Sequence, residues 1–165
     1  MKTFRNFIDD INESSMSRIK SQSDKGGTAV MSASRGDKSS KENRARAKKL
    51  DKDIRSKFGK GATKVSGRYM EKDEKTGKER KVKERSHVIQ SGKMGKRKFK
   101  KAVKSLGKKY GQDAVITQQK GDKSATLKRT RKGGLPKKNI KLGRMNPGTT
   151  GENDTKIKGK TYTYG

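Results

Sequence analysis

The chain has 165 residues, with 47 Lys or Arg, 17 Asp or Glu and a single His, for a net charge of +30. Leu, Ile, Val and Phe make up about 14% of it, below the roughly 20% at which a highly charged sequence is read as disordered, so any core must come from well-placed residues rather than abundant ones. With no Cys, one His and no apolar stretch near the roughly 18 residues of a membrane span, the composition excludes a disulfide framework, a thiolate or His-based metal site and a membrane-spanning helix.

The first segment places Phe4, Phe7, Ile8 and Ile11 at i, i+3, i+4 and i+7, one apolar stripe on an amphipathic helix over 1–13. Asp9, Asp10 and Glu13 make it net acidic in an otherwise basic chain. Residues 14–27 turn to Ser, Gly, Gln and charge and read as a flexible linker. The apolar run at 28–33 is a plausible buried strand. Ser39 and Glu42 then form a capping box, and Ala47, Leu50, Ile54 and Phe58 continue at helical spacing to Gly59, which predicts a helix over 40–58. Residues 63–70 and 82–90 read as two strands around a charged turn. Phe99, Ala102, Val103, Leu106 and Tyr110 give the strongest helical period in the chain, stopped by Gly111. A second hairpin is expected at 113–117 and 124–130, with 139–144 and 155–164 as further edge strands. The expected architecture is α+β: a small mixed sheet of about five to seven short strands with two main helices, over 28–164, loop-rich at 131–155.

The positive charge is uneven. Lys93, Lys96, Arg97, Lys98, Lys100, Lys101, Lys104, Lys108 and Lys109 occur between Ser91 and Gln112 with no acid among them, on the helix whose other face is apolar. A second cationic run follows, with Lys128, Arg129, Arg131, Lys132, Lys137 and Lys138 in a Gly-containing stretch. Such acid-free runs suit non-specific phosphate contact, in which each neutralised phosphate releases condensed counterions. Few aromatic residues are present and none alternates with basic ones, which disfavours base-stacking readout of single-stranded RNA.

No catalytic constellation is legible. Glu84, Ser86 and His87 are close in sequence, but in a strand 84 and 86 share one face and 87 takes the other, so they do not meet as a triad. Asp51 and Asp53, two apart on a helix, point in different directions. Gly59-Lys-Gly61 and Gly92-Lys-Met-Gly95 lack the spacing of a phosphate-binding loop. No metal, cofactor or enzyme activity is expected on this reading.

Two resemblances add to it. Met1-Lys-Thr-Phe4, Phe7-Ile8 and Ile11-Asn-Glu13 resemble the capsid-targeting peptide of internal head proteins of T4-like tailed phages, which ends at a prohead-protease site. That resemblance implies cleavage after Glu13, with Ile11 as part of the recognised sequence and Ser14 as the new N-terminus. Residues 29–130 resemble a family of small uncharacterised domains of tailed phages and bacteria, through Ser32-Ala-Ser-Arg-Gly36, Ser39 to Arg44, Gly67-Arg-Tyr69, Glu84-Arg-Ser86 with His87-Val88, and Leu106 to Ile116 with its Tyr110-Gly-Gln-Asp113 signature. Taken together, these features give the expectation of a non-enzymatic, basic internal protein of a phage head. It would bind packaged DNA in preference to RNA, with the prohead scaffold core and prohead protease as partners, and reside in the virion after a period in the host cytoplasm. The alternative expectation is a host-takeover or RNA-associated factor that is never packaged.

Overall fold

A computed structural model describes residues 17–22, 26–72, 75–133, 136–148, 154–157 and 160–164. The first long helix, α1 (Ser40–Phe58), begins and ends where its caps dictate. Ser39 accepts from the Glu42 N–H at 3.2 Å while the Glu42 carboxylate accepts from the Ser39 N–H at 2.8 Å, and Gly59 closes the helix at φ 75°. The second, α2 (Lys96–Lys109), has no side-chain cap at Gly95 and ends where the Tyr110 N–H reaches back to the Leu106 carbonyl. Both helices bury the stripe that their period requires: Ala47, Leu50 and Ile54 on α1, and Phe99, Val103, Leu106 and Gly107 on α2.

The strands are β1 (Thr28–Ser32), β2 (Thr63–Lys72), β3 (Glu79–Gln90), β4 (Ala114–Gln118), β5 (Ala125–Arg129), β6 (Ile140–Gly143), β7 (Met145–Pro147), β8 (Asp154–Ile157) and β9 (Lys160–Tyr164). They form one nine-stranded sheet in the order β6-β5-β4-β1-β3-β2-β8-β9-β7, with every pairing antiparallel. The strands at the two ends of this order, β6 and β7, are consecutive in the chain and separated by Arg144 alone. The sheet therefore curls until its ends are neighbours, giving a nearly closed barrel.

This corrects the expected fold class. The domain is mostly β and all-antiparallel, not a small mixed α+β sheet of five to seven strands. The difference lies in the last third of the chain: β6 falls on the edge strand expected at 139–144, but β7 lies in the stretch expected to be loop-rich and the one strand expected at 155–164 is two, β8 and β9. β7 and β8 are short, and β8 pairs with β2 across a long stretch of sequence, Thr155 opposite Gly67, which no local periodicity reveals.

Alternation along the strands gives the sheet two faces. Ala29, Met31, Ile89 and Val115 turn outward to meet Leu50, Ile54, Phe99, Val103 and Leu106 of the two helices. Val30, Val65, Val88, Met145 and Tyr162 turn into the barrel and pack with Ile19. Ile19 belongs to a helical segment at 17–22, inside the stretch expected as linker, and is 3% exposed. A hydrogen bond between the Gln22 and Gln90 side chains ties the same segment to β3. The expected peptide at 1–13 lies outside the described residues.

Candidate functional site

The inward-facing cluster fills one end of the barrel. Toward the other end the interior opens into a cavity of about 510 Å³. Strand register assembles its polar side. Thr155 on β8 stands opposite Gly67 on β2, and Gly67 stands opposite Glu84 on β3. On the next rung, Val65, Ser86 and Ser32 line up across β2, β3 and β1. Residues directly opposite one another share a face, so Glu84 and Ser86 project to the cavity side. The neighbouring position to Glu84 is a glycine, which leaves space beside the carboxylate. A Cβ placed on Gly67 would lie 3.5 Å from Ser86 Oγ and 3.8 Å from the Glu84 carbonyl oxygen.

The remaining walls are largely aliphatic: Val30, Ile116, Leu127 and Leu142. Tyr164 lines the same cavity, its ring edge-on to Tyr162 with centroids 5.7 Å apart. Burial holds both phenols above their ordinary pKa, so each stays protonated and able to donate. Ser32 and Gln112 frame the cavity and are committed to its structure. Ser32 Oγ donates to the Arg85 carbonyl at 2.9 Å and accepts from the Ser34 N–H at 3.0 Å. Gln112 Nε2 donates to the Ser34 carbonyl at 2.9 Å. Among the described residues Glu84 is the one carboxylate lining this space, which Arg68 also lines, and the rest of the wall is aliphatic or hydroxyl-bearing, an arrangement suited to a largely apolar ligand that carries charge.

His87 takes the opposite face of β3, as alternation requires, and is fully buried on the helix side with no hydrogen-bond partner for either ring nitrogen. Burial lowers its pKa, so the imidazole is neutral. It does not join Glu84 and Ser86. Among the described residues no group of three His, Asp or Glu side chains is placed to hold a metal ion, and no helix is long and apolar enough to cross a membrane.

The cationic residues singled out from the sequence lie elsewhere. Lys96, Arg97, Lys98, Lys100, Lys101, Lys104 and Lys108 are exposed along α2, and Lys93 sits in the turn before it. Lys109 is paired with Asp53 at 2.8 Å. Lys128 stands on β5, where burial and then the adjacent Lys100 ammonium bring its pKa down to about 8. Arg129 donates to the carbonyls of Arg131 and Lys137, and Arg131 is bound to Asp113. Lys132, Lys137 and Lys138 are exposed in the following loop. None of these residues lines the cavity. Ile11, Glu13 and Ser14 fall outside the described residues. The cavity is instead built from pieces of the sequence resemblance over 29–130: Ser32, Gly67, Glu84, Ser86 and Gln112. The signal that could have found it was a Glu-x-Ser strand facing a Gly-containing one.

Comparison with known proteins gives the following. The model of the S-adenosylmethionine lyase family matches residues 29–165. Among solved structures, a phage SAM lyase in complex with S-methyl-5'-thioadenosine is similar at 18% identity, over 72% of this chain and 90% of that one, with a TM-score of 0.39. A search of the curated proteins finds no match.

Proposed function

Since the chain belongs to the S-adenosylmethionine lyase family, we propose that it is an enzyme that cleaves S-adenosylmethionine at a carbon–sulfur bond, with the barrel cavity as its active site. Family membership overturns the expectation of a non-enzymatic DNA-binding head protein with prohead scaffold and protease partners, and lends nothing to an RNA-associated alternative. The resemblance of 29–130 to a domain family holds in its coarse form. The match reaches further, to residue 165, and the family's name carries an activity.

The family match carries this reading, and the cavity supplies chemistry that fits it. S-adenosylmethionine bears a sulfonium cation among apolar and hydroxyl-bearing groups. Glu84 offers that cation a counter-charge, while Val30, Ile116, Leu127 and Leu142 replace water around it. As the bond breaks, its electron pair stays on sulfur and the cation becomes a neutral thioether. Loss of charge is favoured where solvation of the ion is poor, so the aliphatic walls assist departure while Glu84 secures binding. The change balances within the substrate. Its own carboxylate oxygen closes on the carbon that sulfur leaves, giving a lactone and S-methyl-5'-thioadenosine with no water, reductant or proton acceptor. The Tyr164 phenol, kept protonated by burial beside Tyr162, adds a hydroxyl to the cavity wall.

Incubating the purified protein with S-adenosylmethionine and following the products by liquid chromatography and mass spectrometry tests the reading. The thioether should accumulate with enzyme concentration. Failure of a folded protein to produce it overturns the assignment.

A further inference from the structure

On the helix side of the sheet, between the 34–38 turn, the first turns of α1 and the first half of β3, lies a groove of about 640 Å³ that takes no part in the proposed lyase chemistry. Its walls carry Lys38 and Arg44 from the turn and helix, and Lys81, Lys83 and Arg85 from the strand. Alternation sets the last three on one face of β3, the face on which His87 and Ile89 meet the helices. At roughly 6.6 Å between alternate residues they form a cationic row about 13 Å long. Among the described residues, none of these five side chains forms an ion pair, whereas Arg35 at the rim of the same groove is held by Asp37 at 2.8 Å. Among the described residues the one acid in the lining, Glu84, is turned by alternation toward the barrel.

The groove is also pre-organised. Asn43 Oδ1 accepts from the Arg35 N–H at 3.0 Å, and its Nδ2 donates to the carbonyls of Arg35 and Lys38, which pins the turn against α1. Ser34 and Ser40 add hydroxyls to the walls. Among the described residues no aromatic side chain lines it, so none of them offers a platform on which a base would stack.

We infer that this groove is a binding site for an oligophosphate chain, whether free or carried on a nucleoside. A lone carboxylate or phosphate meets one or two of the five cations, whereas linked phosphates present charged oxygens to several of the row at once, with Arg44 on the facing wall. Arg85 and Arg44 supply the forked donors that suit phosphate oxygens. Because the cations are exposed and unpaired, binding relieves their mutual repulsion and weakens as salt rises. The inference does not depend on the lyase reading.

Calorimetric titration of inorganic tripolyphosphate into the full-length protein at low salt tests it, with two double charge reversals compared. Arg44→Glu with Lys83→Glu removes charge from the groove, and Lys100→Glu with Lys104→Glu removes the same amount from α2. The groove variant should weaken binding tenfold or more and the α2 variant by less than twofold. ATP in place of tripolyphosphate separates the sources: equal affinity assigns recognition to the phosphate chain alone, and tighter ATP binding assigns the site to a nucleotide. Absence of binding by the unaltered protein, or equal weakening in the two variants, overturns the site, since the attraction would then follow net charge and not the groove.

Discussion

Glu84→Gln isolates the electrostatic part of the lyase proposal, because the two side chains have nearly the same size and differ by one charge. Two unit charges about 4 Å apart attract by about 1 kcal/mol in water and about 4 kcal/mol at the effective dielectric of a protein surface. The cavity is walled by aliphatic groups yet open at its mouth, so an intermediate value of about 2 kcal/mol applies, or roughly a 30-fold loss of affinity at 1.4 kcal/mol per decade. The informative measurement compares two ligands that differ in charge at sulfur. S-adenosylmethionine is a sulfonium and S-adenosylhomocysteine a neutral thioether of almost the same shape. Calorimetry should show the sulfonium weakened about 30-fold by the substitution and the thioether by less than about threefold, with the melting temperature unchanged. Equal weakening of both ligands would mean that Glu84 shapes the cavity without recognising charge. No change in either would remove it from the site.

Gly67→Leu should abolish ligand binding while leaving the fold intact. The backbone there is ordinary strand, a Cβ makes only normal contacts at 3.5 and 3.8 Å, and the rest of the side chain enters the cavity; retained binding would place the ligand elsewhere. Gly107→Ala should destabilise the protein by about 1–2 kcal/mol in urea titration, because its Cβ would lie 2.6 Å from Thr130 Cγ2 and 3.0 Å from Val115 Cγ1, and overpacking outweighs the roughly 1 kcal/mol that Ala gains in a helix. An increase in stability would show that Thr130 and Val115 yield. His87 predicts acid sensitivity. Its folded pKa lies below the unfolded value of 6.5, so the unfolded chain binds the proton more readily, and the stability present above about 6.5 is lost as pH falls toward the folded pKa. Urea midpoints measured between pH 7.5 and 5 should fall in the unaltered protein and less steeply in His87→Leu.

Both long helices were legible because their signals are local. Ser39 with Glu42, the 3.6-residue spacing of Leu50, Ile54 and Phe58, and Gly59 all act within one segment. The strands up to β6 were legible for the same reason, through alternation and turns. The closure of the sheet was not, since it depends on pairs such as Gly67 with Thr155, whose partnership no window of sequence contains. The cavity was hidden in the same manner. Ser32, Gly67, Glu84 and Ser86 were each visible as fragments of a pattern, but only cross-strand register brings them onto adjoining rungs. The conspicuous charge drew attention to Lys100, Lys104 and their neighbours on α2, which describe the protein's outer surface and say nothing about its interior. Alternation did settle one point in advance: His87 faces away from Glu84 and Ser86.

The order of strands in the sheet differs from their order in the chain, and this bears on how the protein is made. A ribosome delivers β2 and β3, with Gly67, Glu84 and Ser86, long before β8 and β9, which bring Thr155 and Tyr164 to the same cavity. A nascent chain that stops short of Asp154 leaves β2 with a bare edge and the carboxylate of Glu84 facing solvent without its far wall. The last strands to emerge are thus the ones that turn an open sheet into an enclosed chamber.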